Sequence, residues 1–151
     1  MAINIRTKGQ TGEREIAQTL NAILNTVMTE NELPRTSVDI IQRNQNQSAV
    51  GGSDLTGCFD LAIEIKRQET LAIKTWWKQC ETAAKRNNEI PVLIFRQNRA
   101  AWRVMTYGWI DIDRSKGTQL NCRMEISWED FQFWFYKYCD AKIKAGWLPE
   151  V

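Results

Sequence analysis

Apolar residues return at three- and four-residue intervals between about Thr11 and Thr29, where Ile16, Leu20, Ile23, Leu24 and Val27 form one stripe. That period predicts an amphipathic helix. Val38-Asp39-Ile40-Ile41 reads as a short strand, and the polar, glycine-bearing RNQNQSAVGGSD after it reads as a loop. Leu61 to Lys66 alternates strictly, with Leu61, Ile63 and Ile65 on one face and Ala62, Glu64 and Lys66 on the other. This predicts a strand with one wet face.

Helical spacing resumes from Leu71 to Asn87, with Ile73, Trp76, Trp77, Cys80, Ala83 and Ala84 as its apolar positions. Pro91 to Phe95 is a continuous apolar run of strand length, and Trp102 to Met105 is its expected partner. The aromatic tail, about 127–145, opens with Ser127 and Asp130 in an S-x-x-D start signal and carries Trp128, Phe131, Trp134, Phe135 and Tyr138 at helical spacing. Helix, strands, helix, strands, helix implies an α/β or α+β fold, a mixed sheet flanked by helices. At 151 residues the chain has the size of one domain.

The absence of histidine removes Ser-His-Asp triads, Cys-His pairs and HExxH metalloproteases. Catalysis must then rest on carboxylates, lysine, hydroxyls or a metal held by oxygen. Cys58, Cys80, Cys122 and Cys139 form no CxxC pair, so buried free thiols in a reducing compartment are expected rather than a zinc site. No secretory or membrane-spanning stretch stands out, which points to a soluble cytoplasmic protein. Net charge is only +2, but Lys8, Arg14, Arg43, Lys66, Arg67, Lys85, Arg86, Arg96, Arg99 and Arg103 all precede residue 104. Such a distribution permits a phosphate-binding face, and equally an ordinary solvated surface.

One cluster has spacing with a mechanism behind it: Asp54, nine residues, then Glu64-Ile65-Lys66. On a strand, Glu64 and Lys66 leave the same face roughly 6 to 7 Å apart. A chain reversal around Cys58 to Asp60 would bring Asp54 opposite Glu64, where two carboxylates can share a hard cation. A tight turn at Thr56-Gly57 would instead leave Asp54 about 16 Å from Glu64. Asp60 shares the parity of Glu64 but lies roughly 13 Å away along the strand, too far for one ion.

GGSD followed by IEIKRQE resembles the PD-(D/E)xK nuclease superfamily signature, with Ser53 where that family has proline and Glu64-Ile65-Lys66 as its ExK element. KGQTGER, Lys8 to Arg14, resembles the KGxxxER opening of archaeal Holliday junction resolvases. RNQNQSAVGGSD, KTWWKQ and IPVLIFRQNRAAWRVM look like a phage-encoded branch of resolvase-like endonucleases. These pieces run from Lys8 to about Met105 and leave the aromatic tail uncovered.

The resemblance implies a restriction-endonuclease-like fold forming a single nuclease domain, with a core of about 8–105. Glu13, Asp54 and Glu64 would bind Mg²⁺, with Mn²⁺ able to substitute, and Lys66 would orient the attacking water or stabilise the transition state. Gln79 would correspond to a supporting helix glutamine, though it also fits a solvent-edge position. Lys8, Arg14, Arg43, Ser48, Arg67, Arg96, Arg99 and Arg103 are candidate DNA contacts. Trp102 with its arginines could meet an exposed base, or sit in the core with the arginines solvated.

The expected activity is metal-dependent DNA cleavage, at branched DNA such as Holliday junctions. A four-way junction has two strands to cut symmetrically, so a homodimer is expected, with the aromatic tail as candidate interface. The alternatives are a restriction-like or flap nuclease on the same core, and a non-catalytic nucleic-acid-binding module.

Overall fold

The computed structural model describes residues 5–45 and 53–150, with side chains from residue 8 onward. Helix α1 (Ile5–Glu30) precedes two short strands, β1 (Gln42–Arg43) and β2 (Leu55–Thr56), which pair antiparallel with each other. Then come β3 (Leu61–Arg67), helix α2 (Ile73–Arg86), β4 (Ile90–Arg96), β5 (Arg103–Asp113), β6 (Thr118–Ser127) and helix α3 (Trp128–Lys144). The main sheet has the order β3-β4-β5-β6. Strands β3 and β4 run parallel, joined through α2, and the other two pairings are antiparallel. The expected mixed sheet flanked by helices is therefore what the chain builds.

Two cores lie on its two faces. Ile16, Leu20 and Leu24 of α1 pack with Leu61, Ile63, Ile65, Val92, Ile94 and Val104, and with Phe131 and Phe135 of α3. Trp76, Trp77 and Cys80 of α2 pack on Leu93, Phe95 and Met105. Alternate residues of β4 feed both cores, which is why its sequence is apolar without interruption. Gly12 lets α1 approach the sheet: a Cβ there would meet Trp102 at 3.3 Å and Ile65 at 3.6 Å. The α3 start signal is used as expected, the Asp130 amide donating to Ser127 Oγ at 3.0 Å.

Four elements differ from the sequence reading. Helix α1 starts at Ile5 rather than near Thr11, because its first turns carry no apolar stripe to announce them. Val38 to Ile41 is not a strand: Val38 is exposed, and Ile41 is held by Asn21, whose side-chain amide donates to Ile41 O at 2.7 Å and accepts from Ile41 N at 2.9 Å. A side chain there does what a strand partner would do. The wet face of β3 is partly covered, since the tryptophans of α2 need burial and bring Cys80 onto the Ala62 carbonyl. Strand β5 continues to Asp113 and pairs with β6, which the pattern did not announce because its outer half is exposed on both faces. Three of the thiols are buried and Cys122 is half-buried, all four free.

Candidate active site

The reversal between β2 and β3 decides where Asp54 goes. Gly57 has φ +82°, and a Cβ there would lie 2.2 Å from the Ile40 carbonyl oxygen. Phe59 also adopts a positive φ of 58°, unusual for a large residue. Its ring is held by edge contacts to Tyr138, 5.5 Å between centroids, and Trp147, 4.9 Å. The aromatic tail thus braces the turn that precedes β3.

After this reversal Asp54 lies beside the free edge of β3. Its backbone N–H donates to Ile63 O at 2.8 Å, and its carboxylate Oδ2 accepts from Ile65 N at 2.7 Å. These bonds bracket Glu64, and the two carboxyl groups are hydrogen-bonded to each other. Of the two reversals compatible with the sequence, this is the one that unites the carboxylates. Asn44 closes the base of the intervening loop, its backbone N–H donating to Asp54 O at 2.8 Å and its side chain to Ser53 O at 2.9 Å.

Burial pushes the Glu64 carboxyl up to about 8, helped by Asp54, and the Asp54 carboxyl up to about 6, opposed by its bond from Ile65. Two adjacent carboxyls, one buried and one half-buried, cannot both ionise without compensation, so they retain a proton near neutral pH. Lys66 favours the ionised form of both, and Glu13 disfavours it. Glu13 therefore reaches the pair electrostatically from α1. It is buried, and its Oε2 accepts from Arg43 Nε at 2.9 Å. Among the described residues no three acidic or thiol side chains are gathered tightly enough to hold an ion, in keeping with Glu13 being turned to Arg43.

The donor chemistry of Asp54 and Glu64 fits a divalent cation, which would take the place of their retained proton. Glu13 could join them by sharing or giving up Arg43. Asp60 is elsewhere: its amide meets the Tyr138 hydroxyl, and its carboxylate lies 3.3 Å from Lys142 Nζ.

A cavity of about 520 Å³ opens beside Glu64 and is lined otherwise by Thr75, Lys78, Gln79, Thr82, Ala83 and Arg86 of α2. Gln79 is thus brought to the acidic pair's neighbourhood. Arg86 is one of the basic residues that permit a phosphate-binding face, whereas Thr75, Lys78 and Thr82 carry no sequence expectation although their helical spacing with Gln79 is plain. A second groove, along α1, is lined by Arg14, Arg35 and Arg43 among others.

The remaining basic candidates scatter. Arg67 and Arg96, partners across β3 and β4, each bury an Nε that has no hydrogen-bond partner among the described residues. Arg96 also sits 3.5 Å from Glu15 and over the Trp102 ring. Trp102 is buried with its Nε1 donating to Glu15 at 3.0 Å, so it belongs to the core rather than to an exposed base. Arg103 is bound by both oxygens of Glu125. Lys8 is half-buried on α1, Arg99 is exposed in a turn, and Ser48 lies outside the described residues.

The family described as "Phage putative PDDEXK endonuclease" matches residues 4–136. The match extends past Met105 through the β5–β6 hairpin and into α3. Among solved structures the chain is similar to Hjc, a Holliday junction resolvase from the archaeal hyperthermophile Archaeoglobus fulgidus, at 17% identity over 83% of this chain and 96% of that one, with a TM-score of 0.45. No curated protein matches.

Proposed function

From the premise that the chain belongs to this phage PDDEXK endonuclease family, we propose that it is a divalent-metal-dependent endonuclease that hydrolyses DNA phosphodiester bonds, at branched DNA such as four-way junctions. The observation that carries the catalytic reading is the meeting of Asp54 and Glu64 at the edge of β3, two residues from Lys66. Asp54 and Glu64 would hold Mg²⁺ or Mn²⁺, with Glu13 as a third ligand once released from Arg43. Such an ion supplies positive charge to the phosphodiester and acidifies water at neutral pH.

The chain's own groups do the rest. Ile65 N–H fixes the Asp54 carboxylate, and Lys66 orients the water or stabilises charge developing on the phosphate. Gln79 reaches the same space from α2.

Resemblance of KGQTGER to the resolvase opening supports branched DNA as substrate. A homodimer would supply two sites for two strands, and the exposed Phe133 and Trp134 of α3 suit its interface. We place the protein in the cytoplasm, where its DNA is; no described helix is long and apolar enough to cross a membrane.

The test is cleavage of a synthetic four-way junction, a flap and a duplex of the same sequence, with and without Mg²⁺. Cutting of the junction in preference to both others is expected. Equal cutting of all three would replace the junction reading with a general nuclease, and no cutting in Mg²⁺ or Mn²⁺ would leave a binding module.

A further inference from the structure

Every residue lining the cavity beside Glu64, apart from Glu64 itself, comes from α2. Thr75, Lys78, Gln79, Thr82 and Arg86 stand at i, i+3, i+4, i+7 and i+11, one continuous stripe along the helix. The stripe that faces the sheet, Trp76, Trp77, Cys80 and Ala84, is buried, so the polar stripe cannot turn inward. The only acidic residue of the helix, Glu81, is withdrawn from it by a hydrogen bond from the Tyr107 hydroxyl. Beside Glu64 the cavity thus presents two cationic side chains, two hydroxyls and an amide.

This composition suits a polyanion that carries hydrogen-bond acceptors at regular intervals. Lys78 and Arg86 are eight residues apart, about 12 Å along the helix axis. Phosphates recur at regular intervals along one DNA strand, so two cations spaced along one helix face can each meet a different phosphate of the same strand.

We propose that this face of α2 is the track for the backbone of the DNA strand being cut, with Lys78 and Arg86 each neutralising a phosphate beside the one presented to Glu64. The proposal rests on the nuclease reading for what happens at Glu64, but not for its own test. Lys78 and Arg86 hold the strand and do not touch the reacting atoms, so their loss raises KM and the salt sensitivity of binding changes, while kcat stays near wild type.

The experiment measures affinity for a fluorescent four-way junction and for the matching duplex in EDTA, across a salt series, using wild type, Lys78→Gln, Arg86→Gln, the double variant and Lys116→Gln. Lys116 is in the turn of the β5–β6 hairpin and does not line the cavity. Each α2 substitution is expected to flatten the slope of log affinity against log salt by about 0.9, the double variant by about 1.8, and Lys116→Gln to leave it unchanged. Thermal melts check that the exposed substitutions leave folding intact. Wild-type slopes for both α2 variants, in a protein that cleaves DNA, overturn the track and spare the nuclease. Flattened slopes in a protein that never cleaves support the track and overturn the nuclease.

Discussion

Replacing Glu64 by Gln should make the metal-free protein more stable at alkaline pH, although it removes the carboxylate at the centre of the proposed site. In the folded chain burial and Asp54 raise the Glu64 carboxyl from 4.5 to about 8. Below about pH 4.5 the group is protonated both folded and unfolded, and folding pays no charge penalty. As pH rises the unfolded chain releases its proton while the folded chain keeps it, so stability falls until about pH 8, where the penalty is complete. At about 1.4 kcal/mol per tenfold change in proton affinity, that interval corresponds to at most roughly 5 kcal/mol.

Glu64 is only half-buried and shares its proton with Asp54, so roughly 2 to 3 kcal/mol is the working figure. For a chain of 151 residues this amounts to a rise in Tm of roughly 5 to 10 °C. The assay is thermal unfolding of wild type and Glu64→Gln in EDTA at pH 4.5, 6.5 and 8.5. The two should melt together at the lowest pH and diverge as pH rises. Added Mg²⁺ should then stabilise wild type at pH 8.5 and leave the variant unmoved. Equal melting at every pH, or a variant less stable at pH 8.5, refutes the paired-carboxyl reasoning.

Lys66→Ala is expected to lower cleavage of the preferred DNA at least a hundredfold while binding in EDTA changes less than threefold; retained cleavage would remove Lys66 from the chemistry. Gly57→Ala should destabilise by about 3 kcal/mol or more, because its Cβ would press on the Ile40 carbonyl at 2.2 Å in a positive-φ turn; a denaturation midpoint equal to wild type would contradict that geometry. Asn21→Leu should cost about 2 kcal/mol through the two unpaired Ile41 groups, read from urea titration. Light scattering should give twice the chain mass, falling to one on Phe133→Asp with Trp134→Asp; a monomeric wild type would rule out the α3 interface.

What could be read from the sequence follows from where the physics is local. The helical stripe of α1, the alternation of β3 and the Ser127 start signal all depend on neighbours within a few positions, and all three elements formed. Asp54 was placed by a choice between two reversals, and only the requirement that it meet Glu64 selected one. The sequence did not reveal what selects that reversal physically: Gly57 under the Ile40 carbonyl, and Phe59 held by Tyr138 and Trp147 about eighty residues later. Such contacts leave no periodic trace. The same holds for Arg43, read as a DNA contact and found against Glu13, and for β6, whose outer residues lack the one-sided burial that makes alternation visible.

The position of the carboxylates follows from the order of the sheet. Strand β3 is an outer strand, with β4 on one side only, and an outer strand presents unpaired N–H and C=O groups that must be satisfied. Here Ile63 O and Ile65 N are both taken by a single residue, Asp54, one through its backbone and one through its carboxylate. A further backbone strand in that place would satisfy the edge equally well but would bring no charge beside Glu64. Using a side-chain oxygen as the second partner brings the Asp54 carboxyl group to Glu64, and the edge of the sheet becomes the place where two acids meet. Moving Asp54 by one position would exchange its face and unpair the edge together, so strand pairing and assembly of the acidic pair are one event. Asp54→Asn should accordingly keep the Ile65 bond and the fold while abolishing Mg²⁺-induced stabilisation, whereas Asp54→Ala should lose both; an alanine variant as stable as the asparagine one would separate the two roles.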